Sequence, residues 1–378
     1  MRPVVDRIST EKTVITKTAR DLGELRASLE RWLGARLPPG AEPEISHLEA
    51  PEANGMSSLT VLFDAVWTDG ERRETRSLVA RVAPEAASVP VFPVYDLDLQ
   101  FRVMREVGAG SAVPVPPLLW SEPDPGPVGA PFFVMGRVEG RVPPDNVPYV
   151  FGSWVTEATP EQRRQLQEST VRILADVHAI PVSRFAFLEP PSGTTALRHH
   201  VDGQRAYYRW TVASDGRPIP LIERAFAWLE GHWPQDEPPA VLSWGDARIG
   251  NVMYRDFEPA AVLDWEMAAL APREVDLAWM IYLHRFFEDL AAAVGMPGVP
   301  DLLRREDVVR TYQAASGYSP QDLDFFLVYA VLRHAIVMAQ TKRRAIHFGE
   351  DELTPDPDDM ILHRATLEQV LDGTYVWP

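Results

Sequence analysis

The chain has 378 residues, of which 46% are hydrophobic and 24% charged, a composition typical of a folded globular protein long enough for two domains. It contains no cysteine, which excludes disulfides and thiolate metal sites and fits a reducing compartment. The 37 basic and 54 acidic residues give a net charge of −17, which disfavours a nucleic-acid partner and suits a cationic ligand, with plain solubility as the alternative.

The N-terminal stretch mixes charged and apolar residues too evenly to hold the apolar core of a signal peptide. No stretch approaches the roughly 20 apolar residues that a membrane-spanning helix needs. We therefore expect a cytoplasmic protein with no membrane partner.

The first part of the chain predicts a mostly antiparallel sheet with helices beside it. Residues 21–37 carry apolar side chains at helical spacing and predict a leading amphipathic helix. Residues 57–67 alternate in polarity and are followed, after a Thr-Asp-Gly turn signal, by a returning strand at 78–82. A helix is expected at about 96–107. Two apolar runs in a proline-rich stretch, PLLW and PFFVM, predict two further strands, which end the first lobe near Gly140.

The second part of the chain predicts helices. Residues 159–162, Thr-Pro-Glu-Gln, combine a capping residue, Pro at the first helical position and a capping-box Gln, so they begin a helix. A second long helix is expected over about 319–345 and a third over 357–371, ended by a glycine. Because strands come first and helices follow, the sequence predicts an α+β fold class with segregated lobes, residues 1–140 and 141–378.

The most informative pattern lies in residues 241–268, VLSWGDARIGNVMYRDFEPAAVLDWEMA. Asp246 and Asn251 lie five residues apart beside glycines, and Asp264 ends another apolar run thirteen residues later. This pattern predicts a strand–loop–strand unit that presents two carboxylates and one amide from loops. Phosphoryl transfer needs a carboxylate to orient the attacking hydroxyl and hard oxygen ligands for Mg²⁺. Each residue alone would more often be a turn residue, but the full set favours phosphoryl transfer.

The same segment resembles the signature of the aminoglycoside phosphotransferase and choline kinase family: His-Gly-Asp, four residues, Asn, and then an Asp followed by Trp or Phe. The resemblance implies a bilobal protein-kinase-like fold with an N-terminal antiparallel sheet lobe and a larger, mainly helical C-terminal lobe. It implies transfer of the γ-phosphate of ATP or GTP, with Mg²⁺, to a hydroxyl of a small molecule. By position, Asp246 would be the catalytic base, and Asn251 and Asp264 the metal ligands. Asp276, in DLAWM, matches a downstream element and would support the loop.

The resemblance also implies a nucleotide site in the first lobe. The stretch PEANGMSS would be the loop over the phosphates, with a plain hairpin turn as the equal alternative. Arg81 stands where the family usually has Lys, and it would contact the phosphates. The strand PFFVMGRVEG would meet adenine through backbone groups, or it is simply a buried strand. The implied nucleotide-binding residues are Asn54, Gly55, Ser57, Ser58, Arg81, Met135 and Arg137.

Three positions depart from the family pattern. Trp244 replaces the His that braces the catalytic loop, and Gln100 stands where the acidic partner of the strand cation is expected, unless Asp98 supplies it. Together with Arg81, these departures motivate an alternative: a degenerate kinase fold that binds nucleotide or a partner protein without turnover. The complete set of Asp246, Asn251 and Asp264 counts against it.

The acceptor should bind to the helical lobe, around residues 195–235 and 265–345. A cationic, aminoglycoside-like acceptor is expected because acidic side chains accompany the motif, namely Glu266, Asp276 and Glu288. The family fold also serves choline, homoserine, sugars and hydroxyacyl compounds, so the sequence leaves the acceptor open. The aromatic residues Tyr207, Tyr208 and Trp210 form either an acceptor wall or, more simply, a packing face, and packing is also expected for His178.

Overall fold

A computed structural model describes residues 21–51, 58–70, 72–84, 89–145 and 147–378. The chain divides into two compact units. The sheet unit comprises the described residues up to Arg105 together with Pro116–Val138, and the helical unit comprises Glu106–Val115 and Glu139–Pro378.

A five-stranded antiparallel sheet, in the order β1-β2-β3-β5-β4, organises the sheet unit. Buried and half-buried side chains alternate along β2 because its apolar residues occupy every second position, so one face of the strand forms the core. The strands are β1 Glu44–Glu49, β2 Leu59–Asp69, β3 Arg72–Val82, β4 Leu118–Glu122 and β5 Phe132–Gly136. The helices that accompany them are α1 Leu22–Arg36 and α2 Leu97–Gly110. All of these except β1 were predicted from the sequence.

Helix α1 is pinned to the sheet by a buried hydrogen bond. Asp21 caps its first turn, accepting from the backbone N–H groups of Gly23 and Glu24. On its inner face, Trp32 donates its indole N–H to Glu122 on β4 at 2.9 Å. This hydrogen bond is the largest of the interactions that lower the pKa of Glu122 from its ordinary value. The leading helix is thus an integral part of the sheet unit.

The helical unit contains eight helices in the described part of the chain and two small antiparallel sheets. The helices are α3 Trp154–Glu157, α4 Pro160–His178, α5 Ala196–Ala213, α6 Pro220–Gly231, α7 Arg273–Ala293, α8 Arg305–Ser316, α9 Leu323–His347 and α10 Arg364–Leu371. One sheet pairs β6 Ala240–Ser243 with β9 Ala269–Pro272, and the other pairs β7 Val252–Arg255 with β8 Glu258–Val262. Short 3₁₀ turns occur at Tyr149–Phe151, Val182–Leu188, Ile249–Asn251 and Pro357–Met360.

The predicted start of α4 is confirmed down to its hydrogen bonds. The Thr159 side chain accepts from the backbone N–H of Gln162 at 3.2 Å, and the Gln162 side chain accepts from the backbone N–H of Thr159 at 2.9 Å. This reciprocal capping box satisfies two N–H groups that the helix leaves without partners.

The predicted bounds of the last two helices were wrong. Helix α9 begins at Leu323, later than the predicted 319, because Tyr318 and Gln321 both donate to the Glu274 carboxylate on α7, at 3.0 and 2.9 Å. The segment expected as one helix over 357–371 is a 3₁₀ turn and then α10. It is broken where buried His363 contacts the Val331 carbonyl at 3.2 Å.

By length and composition, helix α9 could cross a membrane, and it is the one such helix among the residues that the structure describes. However, 89% of its apolar window is buried inside the protein, and the core helix of a folded domain passes the same test. The sequence expectation that no stretch reaches this length overlooked α9.

Candidate active site

The loop after β6 is fixed by a glycine that no other residue could replace without a clash. Gly245 has φ +89°, and a Cβ atom built there would lie 2.1 Å from the carbonyl oxygen of Met267. The tight turn brings the chain directly from β6 to Asp246. The backbone therefore requires glycine before the predicted catalytic aspartate.

Buried Asp276, on the first turn of α7, holds this loop from below. Its carboxylate accepts from the backbone N–H groups of Trp244 and Gly245 at 2.7 and 2.9 Å and from the Ser243 hydroxyl at 2.8 Å. His178 contacts the same carboxylate at 3.0 Å. Burial alone would raise the pKa of Asp276, but the His178 contact and the loop N–H groups outweigh it and lower the pKa. The supporting role predicted for Asp276 is what the structure shows.

The role predicted for His178 was incomplete. This side chain is buried, as packing requires, but its second ring nitrogen also contacts the Tyr312 hydroxyl at 2.8 Å. His178 therefore connects α8 to the aspartate beneath the loop.

Asp246 is held by three side chains. Its Oδ2 accepts from Asn251 Nδ2 at 2.6 Å and from Arg248 Nε at 3.1 Å, and its Oδ1 accepts from the indole N–H of Trp279 at 2.6 Å. Burial would raise the pKa of Asp246, but the Arg248 charge and these donors outweigh it, so the pKa is lowered. Asp246 is therefore an oriented carboxylate, ionised at neutral pH, with 16% of its side chain exposed.

Arg248 bridges two carboxylates. Besides Asp246, its guanidinium forms an ion pair with Asp145. Burial would lower the pKa of Arg248, but the two carboxylates raise it above its ordinary value. Next to this ion pair, within the helical unit, lies a small cavity, open to solvent, whose walls are mostly apolar. Its lining includes Asp145, Tyr149, Arg248, Met280, His284 and Phe287.

Asn251 and Asp264 are brought together by the β7–β8 hairpin. Val252 pairs with Val262, and the backbone N–H of Leu263 donates to the Asn251 carbonyl at 2.8 Å, so Asp264 follows directly beside Asn251. Asp264 is half-buried and has φ +55°, a left-handed conformation that aspartate tolerates better than most residues.

This donor set fits Mg²⁺. The amide nitrogen of Asn251 donates to both the carbonyl and the carboxylate of Asp246, so the amide oxygen is the atom turned away from that contact. Mg²⁺ prefers one or two protein oxygens and takes the remaining ligands from phosphates and water.

Trp244, the residue that departs from the family pattern, braces the loop. Its side chain is 1% exposed, and its indole N–H donates to the Leu263 carbonyl at 2.9 Å. This side-chain hydrogen bond connects the predicted catalytic and metal-binding loops, in addition to the backbone bond from Leu263 to Asn251. The supportive role predicted for this position agrees with its contacts.

The residues predicted to bind nucleotide in the sheet unit are only partly described. Asn54, Gly55 and Ser57 lie outside the described residues, and Ser58 is fully buried at the start of β2. Arg81 lies opposite Thr60 in the β2–β3 ladder and donates to its hydroxyl at 3.0 Å. The assignment of these residues to a nucleotide stays a prediction.

The predicted hinge strand and the acidic partner of Arg81 have contacts of their own within the sheet unit. Met135 is buried in β5, Gly136 donates its backbone N–H to Pro117 and Arg137 donates its own to Ser77. An adenine contact at this strand would therefore rely on carbonyl oxygens or on later residues. Gln100 is buried, and Asp98 accepts from Ser121 at 3.0 Å.

Two of the acidic residues expected to attract a cationic acceptor instead accept hydrogen bonds from the protein's own backbone. Asp276 is enclosed beneath the loop, and buried Glu288 accepts from the backbone N–H of Val299 at 2.8 Å. Both carboxylates are used to hold backbone segments. On α5, Tyr207 and Tyr208 are buried, and the Tyr208 hydroxyl accepts from Ile219 at 2.7 Å, which confirms the packing alternative for these two rings.

Sequence reasoning missed Asp145, Arg248, Trp279 and Arg333. Trp279 lies three residues after Asp276 on α7 and therefore on the same side of that helix, but no helix was predicted there. Arg333 carries a weaker signal, a single charge inside the apolar run of α9. Asp145 lies about a hundred positions from the loop, and no local pattern connects it to Arg248.

Comparison with known proteins identifies relatives of two kinds. A family model described as "Phosphotransferase enzyme family" matches residues 53–306, more than half of the chain. Acyl-CoA dehydrogenase family member 10 of Mus musculus is 25% identical over 285 residues, which are 73% of this chain and 25% of that protein. Acyl-CoA dehydrogenase family member 11 of Homo sapiens is 26% identical over 66% of this chain and 30% of its own length. The chain thus spans about a quarter to a third of these relatives.

Solved structures with the same fold are phosphotransferases. A candidate aminoglycoside phosphotransferase from Ralstonia eutropha has a TM-score of 0.64 at 22% identity, covering 92% of this chain and 97% of that one. Aminoglycoside phosphotransferase APH(4)-Ia, solved with AMP-PNP and hygromycin B, has a TM-score of 0.56 at 15% identity, covering 91% and 98%. Aminoglycoside 2'-phosphotransferase-IIIa, solved with GDP, has a TM-score of 0.53 at 12% identity, covering 93% and 99%. The chain belongs to the phosphotransferase enzyme family and has its α+β, protein-kinase-like fold.

Proposed function

We propose that this protein transfers the γ-phosphate of a nucleoside triphosphate to a hydroxyl of a small molecule. The observation that carries the proposal is the carboxylate of Asp246, ionised and oriented by Arg248, Asn251 and Trp279 beside the Asn251–Asp264 pair. Phosphoryl transfer requires mainly positioning and charge stabilisation, and this arrangement supplies both.

In the proposed reaction, Asp246 orients the acceptor hydroxyl and takes its proton. The bond between the γ-phosphorus and the oxygen that bridges it to the β-phosphate breaks, and a bond from the acceptor oxygen to that phosphorus forms. The nucleoside diphosphate leaves with the bridging oxygen. A lowered pKa suits Asp246 for this role, since the carboxylate must be unprotonated when the hydroxyl binds.

Asn251 and Asp264 would hold Mg²⁺ through their side-chain oxygens. When bound, the ion would neutralise charge on the nucleotide phosphates. Asn251 has a second task, because its amide nitrogen fixes Asp246. The base and the metal site therefore share one residue, so a shift of either one displaces the other.

The proposal assigns nucleotide binding to residues 1–140 and acceptor binding to residues 141–378, with ATP or GTP as the donor. It places Asn54, Gly55, Ser57, Ser58 and Arg81 at the phosphates and Met135 to Arg137 at the adenine. Structural neighbours crystallised with AMP-PNP and with GDP support nucleotide use. The activity would reside in the cytoplasm, where nucleoside triphosphates are abundant.

The acceptor is proposed to be a small hydroxyl compound bound near Arg248. An aminoglycoside-like cation is the first class to test, because a neighbour binds hygromycin B and Asp145 adds a carboxylate to the rim of the small cavity beside Arg248. A hydroxyacyl compound is the second class, because the curated relatives are named for acyl-CoA chemistry and the cavity walls are mostly apolar.

The test measures γ-phosphate transfer from ATP and GTP to a panel of aminoglycosides, choline, homoserine, sugars and hydroxyacyl compounds, with and without Mg²⁺. Asp246→Asn should reduce kcat about 10²- to 10⁴-fold, the usual contribution of general-base catalysis. Asp256→Asn is the matched control, since Asp256 is an exposed aspartate in the β7–β8 turn of the same segment. Nucleotide binding without any labelled acceptor, together with an Asp246→Asn variant that behaves like the native protein, would establish the non-catalytic alternative instead.

A further inference from the structure

Trp279 makes a contact that packing alone does not require. This residue lies on α7 and is 4% exposed, and its indole N–H donates to Asp246 Oδ1 at 2.6 Å. The other carboxylate oxygen, Oδ2, accepts from Asn251 and Arg248. The two oxygens of Asp246 are therefore held by donors from different elements, the loop itself for Oδ2 and α7 for Oδ1.

Arg333 contacts the ring of Trp279. It lies on α9 with 1% of its surface exposed, and its guanidinium is 4.4 Å from the centre of a Trp279 ring. Its Nη2 donates to the carbonyl oxygen of Gly245, the residue before Asp246, at 2.9 Å. Arg333 thus contacts both the backbone that carries Asp246 and the side chain that holds its Oδ1.

The bonding of Arg333 is unusual for a buried cation. Within the part of the chain that the structure describes, its Nε and Nη1 have no hydrogen-bond partner, and no acidic side chain forms an ion pair with it. A buried charge is costly unless it is paired and fully hydrogen-bonded, and an apolar residue at such a position often gives equal or greater stability. An ion pair therefore does not explain an arginine here, whereas its contacts to the Gly245 carbonyl and to the Trp279 ring do.

We infer that Trp279 and Arg333 are positioning residues that hold Asp246 Oδ1 as the oxygen facing the acceptor hydroxyl. Oδ2 already accepts two hydrogen bonds, whereas Oδ1 accepts one from the described residues and keeps room for a hydroxyl proton. Trp279 fixes the rotation of the carboxylate, and Arg333 fixes both Trp279 and the Gly245 carbonyl. The inference rests on the proposed function, because it assigns the reacting carboxylate to Asp246.

The first test is Trp279→Phe, which keeps an aromatic ring for Arg333 but removes the N–H donor. We expect kcat to fall about 10- to 100-fold, with the acceptor KM and the nucleotide dissociation constant within about twofold of native values. Trp279→His should recover part of kcat, because its Nε2 occupies the same ring position as the indole nitrogen. A native kcat in Trp279→Phe would overturn the inference.

Trp32→Phe is the matched control. The indole N–H of Trp32 also donates to a carboxylate, that of Glu122 at 2.9 Å, and Arg36 lies 5.2 Å from its ring centre. This variant removes the same kind of bond on α1, at a residue to which no nucleotide or acceptor contact is assigned. Its kcat should match that of the native protein, and an equal loss in both variants would mean that only structural integrity was disturbed.

A second measurement needs no turnover. The indole N–H resonances of ¹⁵N-tryptophan-labelled protein are recorded for the native chain and for Asp246→Ala, and the signals of Trp279 and Trp32 are assigned from the Phe variants. Loss of the carboxylate should move the Trp279 proton upfield and leave the Trp32 proton unchanged. An unmoved Trp279 signal would overturn the inference. If the native protein transfers no phosphate, the proposed function fails, while this signal still decides whether Trp279 holds Asp246.

Arg333 is tested with a pair of variants. Arg333→Met removes the cation and should lower kcat about 10-fold with little change in thermal stability, whereas Arg333→Lys should keep part of kcat. A destabilised Arg333→Met protein with native kcat would assign Arg333 to the core and not to Asp246.

Discussion

Trp244 donates its indole N–H to the Leu263 carbonyl across 2.9 Å and so connects the loop of Asp246 to the loop of Asp264. The signature that this segment resembles has His here, a smaller ring that can also donate through a ring N–H. The substitution therefore keeps a donor at this position while filling more of the core with the larger ring, which packs 5.9 Å from Trp265.

The first prediction concerns this bond. Trp244→Phe should lower the free energy of unfolding by about 1 kcal/mol, since the Leu263 carbonyl loses its partner, and kcat by about 10-fold, because the two loops then keep only the backbone bond from Leu263 to Asn251. Trp244→His should restore more kcat than stability, since it returns the donor but leaves a cavity. The measurements are urea unfolding and steady-state kinetics. Equal activity in Trp244→Phe and the native protein would show that the Trp244 bond is not needed to position the loops.

The second prediction concerns the turn before Asp246. Gly245→Ala should cost about 4 kcal/mol or prevent folding, because the added Cβ would meet the Met267 carbonyl at 2.1 Å and φ is +89°. Gly216→Ala is the control: its φ is +67°, but a Cβ there meets nothing within 4 Å, so its cost should be about 1 kcal/mol. Urea unfolding compares the two, and similar losses would contradict the steric argument.

The candidate site shows what a sequence can specify. Asp246, Asn251 and Asp264 fall within nineteen residues, and the hairpin that unites them is encoded locally by an apolar run, a turn and a second run. Their spacing was therefore enough to predict the group. The capping box of α4 is equally local, and it was predicted down to its hydrogen bonds.

Contacts between distant elements were not predictable in this way. Arg333 contacts Gly245 although it follows it by more than eighty positions, and Asp145 contacts Arg248 from about a hundred positions before it. The predicted start of α9 was wrong for the same reason, because the backbone N–H of Gln321 donates to the distant Glu274 carboxylate and Gln321 stays outside the first helical turn. A local capping pattern cannot compete with a buried carboxylate supplied by tertiary structure.

The third prediction concerns Asp276 and acid. Its pKa in the folded protein is lowered, whereas an unfolded Asp titrates near about 3.9. The contribution of ionised Asp276 to folding stability is therefore fully present above that value and is lost as the pH falls through the folded-state pKa. Asp276→Asn should cost about 3 kcal/mol at pH 7, because an amide nitrogen cannot accept from the loop N–H groups.

Urea unfolding from pH 7 to pH 3 measures this difference. The difference in unfolding free energy between the native protein and Asp276→Asn should be constant above about pH 5 and should become smaller below about pH 4. A difference that grows in acid would mean that the carboxyl is protonated in the folded protein. Asp372→Asn is a surface control, expected to change stability by less than about 0.5 kcal/mol at any pH.

The fourth prediction concerns two buried histidines, His284 on α7 and His363 before α10. Burial lowers the pKa of His284 to about 3 and that of His363 to about 4, whereas an unfolded His titrates near 6.5. Between these values the unfolded chain binds more protons than the folded one, so stability falls as the pH drops from 7 towards 4.

Each of these histidines should remove about 1 to 2 kcal/mol of unfolding free energy between pH 7 and pH 5, near the limiting slope of 1.4 kcal/mol per pH unit. His363→Gln should make the slope of unfolding free energy against pH shallower by the contribution of one histidine. His199→Gln, which changes an exposed side chain, should leave the slope as it is. An unchanged slope in His363→Gln would mean that His363 titrates alike in both states, and its contact with the Val331 carbonyl would then have to hold a charged imidazole in the folded protein.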